Sequence, residues 1–220
     1  MNRQRKQLIE VGRRLWERGL ISGTDGNLSV RIDENKILAT TSGVPKGFLS
    51  DEHFVEIDLQ GKVRGRTKAK PSSEIQMHII AYQLREDIQA VCHAHPPHAT
   101  AFATSGIGIT KCVIPELIVT LGSVPLAPYA TPSTEEVPQS IAQYILNSDA
   151  VLLENHGALT LGKDIFEALY RMESIDHAAR ILILSESIGG PTELSRDKVE
   201  KLIQTRSKFG FQNPYTGCGD

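Results

Sequence analysis

The sequence predicts one α/β domain with a central mixed, mostly antiparallel sheet that is covered by helices. First, alternating apolar and polar residues separated by short turns predict hairpins early in the chain. Second, helical stretches interrupt the strands without the regular strand–helix repeat of a parallel sheet. Third, 220 residues with 40% hydrophobic side chains are enough to bury one ordinary core.

The first third of the chain predicts a helix followed by hairpins. Apolar residues recur at helical spacing near the N-terminus, and they are Leu8, Ile9, Gly12, Leu15 and Trp16. A glycine-rich turn follows, and the stretches after it predict strands at 28–32, 37–41 and 55–59. The last of these forms a further hairpin, which crosses the turn Gln60-Gly61 to Val63. The turn residues Asp33-Glu34-Asn35 join the first two of these strands.

The remaining elements are helices and short apolar strands. Ser72 or Ser73 is a natural N-cap for an amphipathic helix beginning near Ile75, with Glu74 in its first turn. Pro96-Pro97 can begin another helix. Further strands are predicted at 88–92, 150–153 and 158–161, and further helices at 134–146, 165–188 and 195–207. Prolines divide the stretch 106–132 into short extended pieces.

The charge balance argues against a nucleic-acid partner. The 24 basic and 26 acidic residues leave a formal net charge of -2, so the chain has no excess of positive charge to favour binding of a polyanion. Charges interrupt the N-terminal stretch, and no stretch has the length of an uncharged membrane span. We therefore expect no export signal, no membrane association and a soluble cytoplasmic protein.

The three cysteines predict neither a disulfide framework nor a thiolate metal site. Cys92, Cys112 and Cys218 are odd in number and contain no Cys-x-x-Cys pair. This pattern suits reduced thiols in a reducing compartment.

Three of the seven histidines carry the candidate chemistry. His93 and His95 lie at the end of a predicted strand, where alternate residues face one side, so both imidazoles can reach one metal ion. His156 follows another apolar strand, at the rim of the sheet, and is the best third ligand. Three nitrogen ligands leave a coordination position open, as in catalytic zinc sites. Taken alone, however, a His-x-His pair is more often structural.

Six short motifs accompany these histidines, and they are Gly23-Thr24-Asp25-Gly26-Asn27-Leu28-Ser29, Thr41-Ser42-Gly43, Lys70-Pro71-Ser72-Ser73-Glu74, His93-Ala94-His95, Pro128-Tyr129-Ala130-Thr131 and Asn155-His156-Gly157. In kind, order and spacing they resemble the class II aldolase/adducin family, over about residues 5 to 188. Within that family the chain is most similar to the L-fuculose-phosphate aldolases. Each motif alone is weak, but the combination is specific.

The resemblance implies a metal centre and a catalytic carboxylate. His93, His95 and His156 correspond to the family's zinc ligands, so we expect one Zn²⁺ per subunit, with Co²⁺ or Mn²⁺ as alternatives. Glu74 corresponds to the carboxylate that moves protons beside the metal. Its alternative role is to complement the helix dipole from the first turn. The related epimerases carry aspartate at this place, so Glu74 favours an aldolase.

The resemblance also implies a phosphate site in the small-residue loops. The family's phosphate-contacting positions correspond to Asn27, Ser42, Gly43, Ser72 and Ser73. Backbone N–H groups and hydroxyls at a helix N-terminus can hold a dianion without a basic cluster. Ordinary turn and capping chemistry would explain each loop separately, but not why all of them accompany the histidines.

Two departures from the fuculose-phosphate aldolases concern the rest of the site. In that group a neighbouring subunit supplies a tyrosine from the segment that matches Val113–Glu116, and this chain has none there. It has Glu116, which resembles the acid/base residue of methylthioribulose-phosphate dehydratases. Phe209 replaces a second, C-terminal tyrosine, for which Tyr215 can substitute.

The favoured function is cleavage of a ketose 1-phosphate, of the L-fuculose or 5-deoxypentulose type, to dihydroxyacetone phosphate and a short aldehyde. The alternatives are a methylthioribulose-1-phosphate-type dehydratase, a ribulose-5-phosphate 4-epimerase-like enzyme and a non-catalytic adducin-like module. Adducin-like heads lack the metal histidines, which argues against the last. A lysine Schiff-base aldolase would need no metal, and composition does not exclude it.

We expect a catalytic domain at 1–208, a C-terminal tail at 209–220 and, from the resemblance, a homotetramer. The stretch 113–132 and the tail have too little periodicity to be buried within one subunit, so we expect both to pack on a neighbour. The remaining histidines are expected to be packing or surface residues, and they are His53, His78, His98 and His177.

Overall fold

A seven-stranded sheet organises the chain in this computed structural model, which describes residues 2–65, 67–211 and 217–218. The strands are β1 Asn27–Asp33, β2 Lys36–Thr40, β3 Phe54–Asp58, β4 Ala90–Ala94, β5 Leu126–Ala127, β6 Ala150–Leu153 and β7 Gly157–Gly162. The helices are α1 Arg3–Glu17, α2 Ile75–Leu84, α3 Pro97–Thr104, α4 Pro115–Thr120, α5 Glu136–Ile145, α6 Ile165–Glu186 and α7 Arg196–Thr205. Two 3₁₀ turns span Lys46–Phe48 and Arg206–Phe209.

The strand order is β3-β2-β1-β4-β7-β6-β5. Each neighbouring pair is antiparallel except β5 and β6, which are parallel. The predicted mixed, mostly antiparallel sheet is therefore confirmed. Helices cover both of its faces, as predicted.

The alternation of side chains along β4 separates the two layers of the core. Cys92 packs in the layer formed with α1, α3 and α6, whereas Val91 packs in the layer formed with α2 and α5. His93 is the next residue with the parity of Val91, so it faces the α2 side. The sheet thereby directs its central histidine toward the helix that follows Glu74. None of the described helices is long and apolar enough to cross a membrane.

The stretch 106–132 differs from the sequence expectation. It contains the helix α4, which the proline pattern did not predict, because proline breaks helices in their interior but is favoured in a first helical turn, where Pro115 lies. The side chains of Leu117, Ile118 and Val124 are buried within the chain. The expectation that this stretch has no buried element of its own is therefore wrong. A helix of six residues and a strand of two are too short to produce a recognisable hydrophobic periodicity in the sequence, although their side chains are buried.

The prediction of three reduced thiols is also wrong. The structure joins Cys112 to Cys218 by a disulfide, across a sequence separation of 106 residues. Residue 217 packs beside Ser123, whose hydroxyl donates a hydrogen bond to the Gly217 carbonyl, and this contact brings the neighbouring Cys218 back to the domain. Sequence spacing carries no information about such a pairing. Cys92 is free and buried, and burial raises the pKa of its thiol to about 12.

Candidate metal centre

Three imidazoles converge at one end of the central strands. His93 lies in β4, His95 follows that strand, and His156 lies in the turn between β6 and β7. The pairing of Ala94 with Ala158 sets the two chain segments side by side. Ligand atoms of the three histidines lie within 4.8 Å of one another, and the Nε2 atoms of His93 and His95 are 3.1 Å apart. The structure thus brings together the three predicted ligands.

Local backbone geometry allows this close approach. Asn155 has a positive φ of 56°, a conformation that asparagine tolerates better than most residues, and it tightens the turn before His156. At Gly157 a Cβ atom would lie 2.5 Å from Cδ2 of His95. At Gly26 a Cβ atom would lie 2.7 Å from the His93 carbonyl oxygen. Both glycines are therefore needed for packing around the histidines.

The hydrogen bonding of His93 and the charge state of His95 suit ligation. The Nδ1 atom of His93 donates to the Ala158 carbonyl at 2.9 Å, because a carbonyl can only accept. The other ring nitrogen, Nε2, then faces the cluster. Burial, with contributions from His93 and His156, lowers the pKa of His95 to about 4, so this imidazole is neutral near pH 7.

Glu74 lies directly against the histidines. Its two carboxylate oxygens are 3.0 Å from Nε2 of His156 and 3.4 Å from Nε2 of His93. Burial alone raises the pKa of Glu74, but hydrogen bonds and charge from His156 and His93 outweigh it and hold the pKa well below its ordinary value. Glu74 is therefore an ionised carboxylate enclosed in the site.

The N-terminus of α2 differs from the prediction. Glu74, rather than Ser72 or Ser73, is the N-cap residue, and its side chain makes no capping hydrogen bond. The Ser72 hydroxyl instead accepts from the Glu74 N–H at 3.3 Å, which forms a local turn before the helix. The carboxylate of Glu74 is left to face the histidines, and its alternative role as a first-turn dipole residue is not supported.

The candidate phosphate residues lie in three neighbouring segments. Asn27 donates through Nδ2 to the Ser72 hydroxyl at 3.1 Å, and the Ser42 N–H donates to the Lys70 carbonyl at 3.1 Å. The Ser42, Gly43 and Ser73 positions are exposed and therefore accessible to a ligand. Their role in phosphate binding stays a prediction.

The model of the family described as Class II Aldolase and Adducin N-terminal domain matches residues 6–183. The chain belongs to the class II aldolase and adducin family.

Relatives of this class II aldolase family member cover almost its whole length. The 5-deoxy-D-ribulose 1-phosphate aldolase of Bacillus thuringiensis is 33% identical over 96% of this chain and 99% of its own. The 3-oxo-tetronate 4-phosphate decarboxylase of Haemophilus influenzae is 29% identical over 93% of this chain and 98% of its own. A solved L-fuculose 1-phosphate aldolase superposes with a TM-score of 0.86, at 32% identity over 96% of this chain and 98% of its own.

A divalent cation fits the residues present in this family member. The class II aldolases are metal-dependent, and His93, His95 and His156 form a compact set of nitrogen donors. The Ala158 carbonyl engages Nδ1 of His93, so Nε2 is the nitrogen that faces the cluster, and burial favours the neutral form of His95. Three imidazoles suit zinc, cobalt or manganese and leave room for a further oxygen ligand.

Two residues outside the predicted site, Asp25 and Lys46, support this centre. Asp25 lies with Oδ2 3.6 Å from Nδ1 of His95, on the ring edge that faces away from the cluster. The buried Lys46 ammonium donates to the carbonyls of Thr24 and Val44 at 2.7 and 2.8 Å, and so joins two of the small-residue loops. Both residues lie within or beside the quoted motifs, but only the folded loops show their contacts.

Of the other two predicted catalytic residues, only Glu116 is among the described residues, and it lies outside this cluster. Glu116 is exposed in the first turn of α4. Tyr215 lies outside the described residues, and Phe209 ends the second 3₁₀ turn as an exposed side chain. The roles of Glu116 and Tyr215 stay predictions.

Asp25→Asn is expected to weaken zinc binding by about tenfold, because carboxylates that face a ligating imidazole orient it and increase its basicity. Competition between the metal-free protein and a chromophoric chelator measures the dissociation constant directly. Glu34→Gln removes an exposed carboxylate from the β1–β2 turn and is the matched control. Equal zinc affinities of the two variants would show that Asp25 does not contribute to metal binding.

Proposed function

We propose that this chain is a divalent-metal aldolase that cleaves a ketose 1-phosphate to dihydroxyacetone phosphate and a short aldehyde. The observation that carries the proposal is the contact of the Glu74 carboxylate with two of the three clustered histidines. A carboxylate that is ionised and enclosed beside a three-histidine set is suited to move a proton during carbon–carbon cleavage. Two of the three relatives named above are ketose 1-phosphate aldolases by name, which supports this reaction.

Cleavage of the carbon–carbon bond moves one proton on each side of that bond. When the hydroxyl at C4 loses its proton, the C3–C4 bond breaks, C4 becomes the aldehyde carbon, and the electron pair of the bond passes to the C2–C3 unit. A bound divalent cation would supply Lewis-acid stabilisation of the negative charge on the ketone and hydroxyl oxygens. Glu74 takes up a proton from water and delivers it at C3, which completes dihydroxyacetone phosphate. The proton lost from the C4 hydroxyl passes to a separate base, which the shared site proposed below supplies.

The small-residue loops provide the phosphate site in this proposal. Asn27 and Ser72 lie next to Glu74, and the exposed positions offer the hydroxyls of Ser42 and Ser73 and the main-chain N–H group of Gly43. Lys46 adds a buried positive charge that supports two of the loops. A phosphate bound there would place a three-carbon ketone within reach of the histidines.

A second candidate reaction is decarboxylation, because the Haemophilus influenzae relative is named for it. Loss of carbon dioxide from a 3-oxo-tetronate 4-phosphate also leaves dihydroxyacetone phosphate, so both reactions require the same stabilised three-carbon carbanion. The co-product distinguishes them. Dehydratase and epimerase chemistry, by contrast, would release no three-carbon phosphate.

The test is a substrate panel assayed with zinc, cobalt or manganese. We expect dihydroxyacetone phosphate and an equimolar aldehyde from L-fuculose 1-phosphate or a 5-deoxypentulose 1-phosphate, and loss of activity in chelator. Carbon dioxide from a 3-oxo acid phosphate in place of an aldehyde would support the second candidate. Neither product from any member of the panel, with metal bound, would refute the proposal.

Glu74→Gln is expected to retain metal and fold but to lose about a hundredfold or more in turnover, because an amide of nearly the same shape cannot take up a proton. Steady-state kinetics on the best substrate of the panel measures the loss. Glu193→Gln, which changes an exposed residue before α7, is the matched control. Turnover equal to that of the control would show that Glu74 does not transfer a proton in the reaction.

We further propose a cytoplasmic homotetramer in which Glu116 and Tyr215 reach a neighbouring subunit's site. The exposure of Glu116 on α4 leaves it free for such a contact. A residue supplied by the neighbour would protonate or deprotonate the hydroxyl at C4, which Glu74 cannot do while it serves C3.

Subunit mixing tests this shared site. Glu74→Gln chains mixed with Glu116→Ala chains are expected to recover about a quarter of wild-type activity, because that share of boundaries in a randomly mixed cyclic tetramer holds both intact residues. Glu74→Gln chains mixed with chains that carry both substitutions are the control and recover none. Absence of recovery after subunit exchange has been demonstrated, or a fully active monomer, would refute the shared site. Glu116 would then be an ordinary charged residue on the surface.

A further inference from the structure

A series of buried polar side chains connects the interior of the α2 layer to Glu74. His78, Ser29, Tyr82 and Asn27 are each at most 2% exposed. The Ser29 hydroxyl lies 2.8 Å from the Tyr82 hydroxyl and 2.7 Å from Nδ1 of His78. The other ring nitrogen, Nε2, lies 2.5 Å from Oδ1 of Asn27. Asn27 in turn donates through Nδ2 to Oε2 of Glu74 at 3.1 Å.

Strand and helix periodicity explain this alignment. Asn27 and Ser29 are two residues apart in β1 and face the same side of the sheet. Glu74, His78 and Tyr82 are four residues apart, which places them along one side of α2 and its N-cap. The two rows lie opposite each other, so each member of one row meets a member of the other.

The direction of each hydrogen bond follows by elimination. An ionised carboxylate only accepts, so Asn27 must present its N–H₂ group to Glu74 and its carbonyl oxygen to His78. The carbonyl oxygen also only accepts, so Nε2 of His78 carries the proton. Nδ1 of a neutral imidazole then accepts from Ser29, and the oxygen of Ser29 accepts from Tyr82. All the donors point from the interior toward Glu74.

The charge state of His78 agrees with this assignment. Burial, with the nearby charge of His93, lowers the pKa of His78 to about 3, although the charge of Glu74 acts in the opposite direction. The imidazole therefore stays neutral near pH 7 and carries one proton. A neutral ring has one donor and one acceptor, and the two neighbours of His78 require one of each.

We propose that His78 is a positioning residue, whose Nε2–H holds the Asn27 amide in the orientation that keeps the Glu74 carboxylate against His93 and His156. The terminal torsion of asparagine has two broad, nearly equivalent minima, so the orientation of its amide depends on its partners. If the donor of His78 is lost, the amide of Asn27 can turn its oxygen toward Glu74. Two oxygens would then face each other, and the carboxylate would move from its place.

Two substitutions separate this role from simple core packing. In His78→Gln the amide nitrogen can reach the position of Nε2 and donate to Asn27. In His78→Asn the shorter side chain can serve Ser29 at the position of Nδ1 but cannot reach Asn27. A positioning role through Asn27 therefore predicts that the longer side chain rescues function. A role in satisfying Ser29 predicts the opposite preference, because only the shorter side chain serves that hydroxyl. A role in packing alone predicts a loss that an Asn27→Ala background does not suppress.

The kinetic expectation rests on the proposed aldolase function. His78→Gln should keep turnover within about threefold of wild type, whereas His78→Asn should lose about a hundredfold in kcat, since small displacements of a catalytic group have effects of that size. Adding His78→Asn to an Asn27→Ala protein should cause no further loss, because both changes act through one contact. Equal losses in the two His78 variants, or additive losses in the double variant, would overturn the proposal.

A measurement independent of any substrate examines the same assignment. In protein labelled with ¹⁵N-histidine, the His78 ring should show the neutral tautomer protonated at Nε2 from about pH 5 to about pH 8. Absence of this signal in the His78→Gln protein assigns it. A ring protonated at Nδ1, or at both nitrogens, would overturn the proposal whether or not the enzyme is an aldolase. Conversely, inactivity on every ketose phosphate would refute the proposed function, but the predicted protonation of His78 at Nε2 would still hold.

Discussion

The register of β4 between β1 and β7 is the constraint on which the candidate site depends. On one side β4 pairs His93 with Asn27, and on the other it pairs Ala94 with Ala158, close to the turn that carries His156. A shift by one residue would turn His93 toward α6 and separate it from Glu74. The antiparallel ladder thus determines both the metal ligands and the polar residues beside them.

Glu74 and a divalent cation would compete for the same small space. The Nε2 atoms of His93 and His156 that contact the carboxylate are the atoms available for metal ligation. With a cation on those nitrogens, Glu74 would give up its direct contacts with Nε2 but would stay beside the two histidines, because Asn27 still holds one of its oxygens. This arrangement suits a proton carrier, which has to stay close to the reacting carbon without being neutralised by a permanent partner.

Much of the fold and of the site could be predicted because its signals are local. The two-residue spacing of His93 and His95 at the end of a strand predicts that both side chains face the same way. The turn residues around Asp33 predict the hairpin of β1 and β2. The rest depends on contacts between distant segments. The partners of His78 lie on another strand, so its spacing from Glu74 alone could not reveal its role.

Two misses have specific physical causes. The serines before α2 are good caps by residue type, but a tight turn in which Ser72 accepts from the Glu74 N–H moves the helix start past them. The pairing of Cys112 with Cys218 depends on how the end of the chain packs beside Ser123, a contact that no local pattern encodes. The disulfide also removes the basis for inferring a reducing compartment from the cysteines.

The central claim is that His93, His95 and His156 together hold one catalytic metal ion. It is tested most directly by an anomalous difference map from a zinc-loaded crystal, collected at the zinc absorption edge. The account predicts one peak per chain, bonded to Nε2 of each of the three histidines at about 2.0–2.1 Å. No peak between these atoms at saturating zinc, or a peak held by other residues, would contradict it.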